Sequence, residues 1–163
     1  MRSLFPILEL LNAAGVQYAV VGGLAVIAHG HARLTTHVDV VLNMESDNLL
    51  RAVRALTAAG YSPRAPVDPE GLANKEIRTG WVETKHMTVL SMTNRTNPLL
   101  SVDLFAEPPL DATRILQGAE TVELGGMKVP VCSLADLIEM KRISGRAMDL
   151  ADIQALEQIH GKA

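Results

Sequence analysis

His37 and Asp39 stand two apart in the run HVDVVL, and Asp103 interrupts the apolar run LLSVDLF. Side chains along a strand alternate between faces, so His37 and Asp39 project together while Val38 and Val40 project to the other side. Taken singly, each of the pair suits solvated surface. Asp103 is different, because a carboxylate within an apolar strand is costly to bury unless backbone donors, an arginine or a metal ion satisfies it. Upstream, Val21-Gly22-Gly23-Leu24 joins an apolar run to a short helical stretch. A glycine turn there exposes backbone N–H groups to a phosphate, and it serves equally as a tight strand-to-helix connection. Neither G-x-G-x-x-G nor G-x-x-x-x-G-K-[ST] occurs.

The elements that must hold these residues are legible from periodicity and punctuation. Leu4, Ile7, Leu8 and Leu11 recur at helical spacing, with Ser3 as the expected cap and Gly15 as the stop. Val16–Val21 reads as a strand, Gly22 to Gly30 as a turn and short helix, and His37–Leu42 as a second strand. Ser46–Ala59 reads as a helix with Leu49, Leu50, Val53 and Leu56 on one face and Gly60 beyond it. Ser62–Gly71 is Pro-rich and reads as a loop, continued as a polar segment to Gly80, where Lys75 and Arg78 are placed to shape an acceptor site. Lys85–Met92 and Leu99–Phe105 form an expected antiparallel pair around the turn TNRTNP, and Thr121–Leu124 and Met127–Val131 a hairpin around Gly125-Gly126. Two helices close the chain: Ser133 and Asp136 cap the first, which Gly145 ends, while Asp149 and Asp152 are placed to cap the last. The expected class is α/β (α+β), a small mixed sheet flanked by helices, with residues 1–163 as one domain.

Composition narrows the ligands. The 163 residues are 48% hydrophobic and 20% charged, with a net charge of −3 and only 3% aromatics, so neither tracking of a long nucleic acid nor a base-stacking platform is expected. Cys132 is the sole cysteine, which fits a reducing, cytoplasmic setting and excludes a cysteine zinc site. No run is long and apolar enough for a membrane span.

Gly22-Gly23-Leu24-Ala25, His29-Gly30, Arg33, Thr35, His37-Val38-Asp39-Val40 and Val102-Asp103-Leu104 together resemble the nucleotidyltransferase superfamily of polymerase-β-like fold. Ser133-Leu134-Ala135-Asp136-Leu137-Ile138, Lys141, Gly145-Arg146 and Asp149-Leu150-Ala151-Asp152-Ile153 extend the resemblance toward the small bacterial proteins related to AbiEii-type toxins. The resemblance implies that Gly22 and Gly23 hold a nucleoside triphosphate, that Asp39 and Asp103 are catalytic and bind Mg²⁺, that Arg33 contacts the triphosphate or makes a structural contact to an aspartate, and that Lys141 contacts phosphate. Lys141 alternatively lies on a solvated helix face, and Arg146 pairs with Asp149 or Asp152 to fix the last helices. His29 and Thr35 read as structural.

The first aspartate of the superfamily's pair falls on His37. Two divalent ions about 4 Å apart repel by roughly 17 kcal/mol at an effective dielectric of ~20, so losing a carboxylate weakens a two-metal site. One Mg²⁺ on Asp39 with Asp103 as general base, or Mn²⁺ or Zn²⁺ ligated by His37, remain open. The implied activity is transfer of a nucleotidyl group from NTP to a hydroxyl of a protein, an RNA end or a small molecule. The alternative is a catalytically degenerate nucleotide-binding protein or toxin–antitoxin partner; a homodimer is a further expectation.

Overall fold

The computed structural model describes residues 2–162. The chain runs α1 (Phe5–Ala13), β1 (Tyr18–Val21), α2 (Gly22–Ala28), β2 (His37–Leu42), α3 (Ser46–Ala58), β3 (Tyr61–Pro63), α4 (Lys75–Lys85), β4 (Val89–Asn94), β5 (Ser101–Phe105), α5 (Ala112–Gly118), β6 (Glu120–Leu124), β7 (Met127–Val131), α6 (Leu134–Ser144) and α7 (Ala147–His160). The strands form one mixed sheet in the order β3-β4-β5-β2-β1-β7-β6. Its centre is antiparallel between β1 and β2, and parallel between β2 and β5 and between β1 and β7.

The central strands are short runs of Val, Ala and Leu, and their β-branched side chains fill both faces. Val20, Val38, Val40, Val102 and Leu104 are fully buried, packed with Leu8, Leu11, Leu24, Leu49 and Leu56 from the helices. α3 buries Leu49, Ala52, Val53 and Leu56 as one stripe; Leu50, expected on that face, is only partly buried, and Ala52 takes its place. The hairpin of β6 and β7 closes on Gly125 and Gly126, both at positive φ, and α6 ends on Gly145 at φ +62.

Several expectations are corrected. Ser3 lies in a single 3₁₀ turn, Arg2–Leu4, and caps nothing; α1 instead begins with Pro6 in its first turn, where a missing N–H leaves no orphan donor. The expected loop from Ser62 to Gly80 contains the end of edge strand β3, a 3₁₀ turn at Pro69–Ala73 and the start of α4. Asn74 starts that helix by accepting hydrogen bonds from the N–H groups of Glu76 and Ile77. Lys85 therefore ends a helix and does not begin a strand, and His86, at φ +52, turns the chain before β4 starts at Val89. Arg78 donates to the Leu72 carbonyl at 2.6 Å, which ties it to the 3₁₀ turn beside α4. α5, started by Asp111 accepting from the Arg114 N–H, has no counterpart in the sequence reading.

Candidate functional site

The sheet's centre brings the singled-out residues to one end. β1 pairs with β2 so that Val21 faces Asp39, and β2 pairs with β5 so that Asp39 faces Asp103 and His37 faces Ser101. The chain leaves β1 through Gly22 at φ +64 directly beneath Asp39. A Cβ at Gly22 would sit 2.2 Å from Asp39 Oδ2, and one at Gly23 would sit 2.9 Å from Thr35 Oγ1 and 3.1 Å from Arg33 Nη2. Both glycines are thus required by close approach, the first also by backbone conformation. Thr35 reinforces the loop by donating from its hydroxyl to the His37 carbonyl at 3.2 Å.

Above the turn, His37, Asp39 and Asp103 converge. His37 Nε2 is 3.3 Å from Asp39 Oδ2 and 3.9 Å from Asp103 Oδ2, and the three residues offer ligand atoms within 4.8 Å of one another. All three are only partly buried. The hydrogen bond to Asp39 holds the His37 imidazole above the usual histidine range; burial and Arg33 oppose it, and the charges of Asp39 and Asp103 add to it. One imidazole nitrogen and two carboxylates, open to solvent on one side, form a donor set that fits Mn²⁺ or Zn²⁺ and retains carboxylates for Mg²⁺.

Behind the turn lies a second cluster, closed rather than open. Lys141 Nζ is 3.1 Å from Asp149 Oδ1 and 2.7 Å from Asp152 Oδ2, with all three side chains buried. Arg33 Nε lies 3.2 Å from the other oxygen of Asp152, and Arg146 Nε donates to Asp149 at 2.8 Å. Lys141 is therefore no solvated face residue, because α7 covers it. Asp152 does not cap α7, and Asp149 acts one turn in, accepting from the Arg146 N–H. Burial alone would raise the Asp149 carboxyl, but Arg146, Ser144 and Lys141 override it and hold Asp149 well below the usual carboxylate range.

Arg146 pairs with Asp149, one of the two partners expected for it. Its side chain is 77% exposed at the start of α7, where the hydrogen bond to Asp149 raises its pKa and the charge of Asp39 adds a smaller contribution. His29 is structural, as expected: its Nε2 is 2.8 Å from the Cys132 carbonyl, and His160 Nε2 is 2.7 Å from the His29 carbonyl. Burial pushes the Cys132 thiol up to about 12, so it supplies no thiolate nucleophile at neutral pH.

A glycine turn leading into a helix, with paired aspartates in register on adjacent parallel strands, defines a nucleotidyltransferase-superfamily domain. The family model of aminoglycoside-2''-adenylyltransferase matches residues 3–156, and the chain belongs to that family. The lincosamide antibiotic adenylyltransferase LnuA, solved with lincomycin bound, is similar at 18% identity with a TM-score of 0.60, covering 97% of this chain and 96% of its own. ANT(2")-Ia, solved with adenylyl-2"-tobramycin, is similar at 12% identity with a TM-score of 0.61, covering 95% of this chain and 86% of its own. An antigenic nucleotidyltransferase-like protein from Paracoccidioides brasiliensis is similar at 16% identity and a TM-score of 0.58, covering 97% and 75%. No curated protein matches the chain. The matched family describes antibiotic adenylyltransferases, so the likeness to AbiEii-type toxins stays one of motifs. No helix among the described residues is long and apolar enough to cross a membrane.

Proposed function

We propose that this chain transfers an adenylyl group from ATP to a hydroxyl of a small-molecule acceptor at the His37, Asp39 and Asp103 cluster. The observation that carries the reading is the register of Asp39 with Asp103 directly over Gly22, with no room for a side chain between turn and carboxylate. Backbone N–H groups of the glycine turn receive the phosphates, flanked by Arg33 and by the exposed guanidinium of Arg146. Asp103 accepts the acceptor's hydroxyl proton as its oxygen attacks the α-phosphorus in line and the bond to pyrophosphate breaks. Asp39, Asp103 and His37 would hold a divalent ion, Mn²⁺ or Zn²⁺ suiting the imidazole and Mg²⁺ the carboxylates, which when bound neutralises phosphate charge. Lys141, committed to Asp149 and Asp152, acts as a positioning residue that fixes the two arginines.

Transfer of label from α-³²P-ATP to a panel of hydroxyl compounds, with each metal in turn, tests this. The native protein is expected to transfer label, and Asp39→Asn to lose about 10²–10³-fold in rate while keeping its melting temperature. Absence of transfer from the native protein with every metal and acceptor contradicts it.

One observation favours a second reading, a degenerate nucleotide-binding protein. The His37 imidazole already lies between Asp39 and Asp103 and, protonated, would occupy the charge role of a cation. On that reading the native protein binds ATP without transferring label, and His37→Asp gains transfer.

A further inference from the structure

We infer that the acceptor is a hydroxyl compound with an apolar flank and little positive charge, and not a polycationic amino sugar. The inference rests on the transfer reading for its chemistry and adds the residues at the rim of that site. The turn, β2, β5 and α7 bring four carboxylates together. Asp149 and Asp152 are matched by Lys141, Arg146 and Arg33, three cations for two anions. Asp39 and Asp103 remain; His37 lies against both, and they are the carboxylates that would hold a divalent ion. Arg95, exposed on the β4–β5 connection, stands at the same end of the sheet. A polycation would meet no uncommitted carboxylate among these groups and several like charges, which costs affinity.

The rim offers apolar surface instead. Leu34 is 92% exposed, Leu99 78% and Met148 62%. Arg33 Nη1 donates to the Leu34 carbonyl at 3.0 Å and lies 3.4 Å from Met148 Sδ, so these two residues flank the arginine that borders Gly23. Leu34 precedes β2 and Leu99 precedes β5, strands paired in parallel, so both stand at the end where His37 and Asp103 open. A single exposed leucine is ordinary; three large apolar side chains at the mouth of a polar cluster mark a contact surface. The unbranched Met148 can adapt to the shape of what binds.

Calorimetric titration of the native protein, loaded with Mn²⁺ and α,β-methylene-ATP, with phenyl β-D-glucoside, lincomycin and tobramycin tests this. The two compounds with apolar flanks are expected to bind at least about tenfold more tightly than tobramycin, and the double variant Leu34→Asp/Met148→Glu to reverse that order without lowering the melting temperature. Tightest binding of tobramycin by the native protein overturns the inference, as does binding of none of the three. Sedimentation showing a native dimer that Leu34→Asp dissociates also overturns it, because a second copy then covers the rim. Label transfer run in parallel separates the two ideas: the expected binding order without transfer sinks the transfer reading and leaves the acceptor class standing, whereas transfer preferring tobramycin does the opposite.

Discussion

Two clusters of aspartate and cation lie behind and above the same glycine turn, and they are built to opposite rules. In the closed one, Lys141, Asp149 and Asp152 have side-chain exposures of 7%, 4% and 3%, and each carboxylate meets two cations. In the open one, His37, Asp39 and Asp103 are 41%, 16% and 25% exposed, and two carboxylates share one imidazole. A buried charge is tolerated only when paired, so the closed cluster is complete as it stands. The open cluster keeps solvent-facing lone pairs and an incomplete charge balance, which is what a ligand site requires. The sheet holds the second, and the helix pair α6–α7 holds the first.

The largest expected effect comes from breaking the closed cluster. Lys141→Met leaves Asp149 and Asp152 short of a buried partner and should cost about 3–5 kcal/mol, read as a lower urea midpoint at neutral pH. The mirror-image change in the open cluster, Asp103→Asn, should leave that midpoint within about 0.5 kcal/mol of native, since the site is solvated, while removing metal binding. Gly22→Ala should fall between the two. A methyl group there meets the Asp39 carboxylate and demands a left-handed backbone, so a loss of about 1–2 kcal/mol is expected together with weakened ATP binding.

The sharpest contrast between the clusters is in pH dependence. The folded pKa of His37 is raised, so its contribution to stability is full below the unfolded value near 6.5 and fades as pH rises through the raised value. The folded pKa of Asp149 is depressed, so its contribution is full above the unfolded value near 3.8 and is lost as pH falls toward the folded one. Denaturation midpoints across pH should therefore show His37→Gln differing most from native below about pH 6.5 and converging with it on the alkaline side. Asp149→Asn should differ most above about pH 4 and converge with native in acid. Equal offsets at every pH in either variant would remove the distinction between the clusters.

What was legible in the sequence follows the range of the interactions involved. HVDVVL has the expected bounds as β2, its His37 and Asp39 on one face, and the glycine turn and both aspartates lie together as the resemblance implied. α4, KEIRTGWVETK, buries only Trp81, so it lacks an apolar stripe, and its start depends on Asn74, a cap lying in a segment that its prolines mark as a loop. Lys141 shows the limit most plainly. On its own helix it is one more polar residue; its burial comes from Asp149 and Asp152, eight and eleven residues on, across a turn ended by Gly145. Arg146 was legible as a partner of Asp149 or Asp152, and its position three residues before Asp149 in the first turn of α7 selects Asp149.

Metal binding is assigned to the open cluster and stability chiefly to the closed one. Calorimetric titration of Mn²⁺ with ATP into the native protein and into Asp39→Asn tests it most directly. The native protein should bind with a measurable heat at one site per chain, and Asp39→Asn, equally stable, should lose at least about tenfold in affinity. Equal binding by the two proteins would contradict the claim and move the ligand away from His37, Asp39 and Asp103.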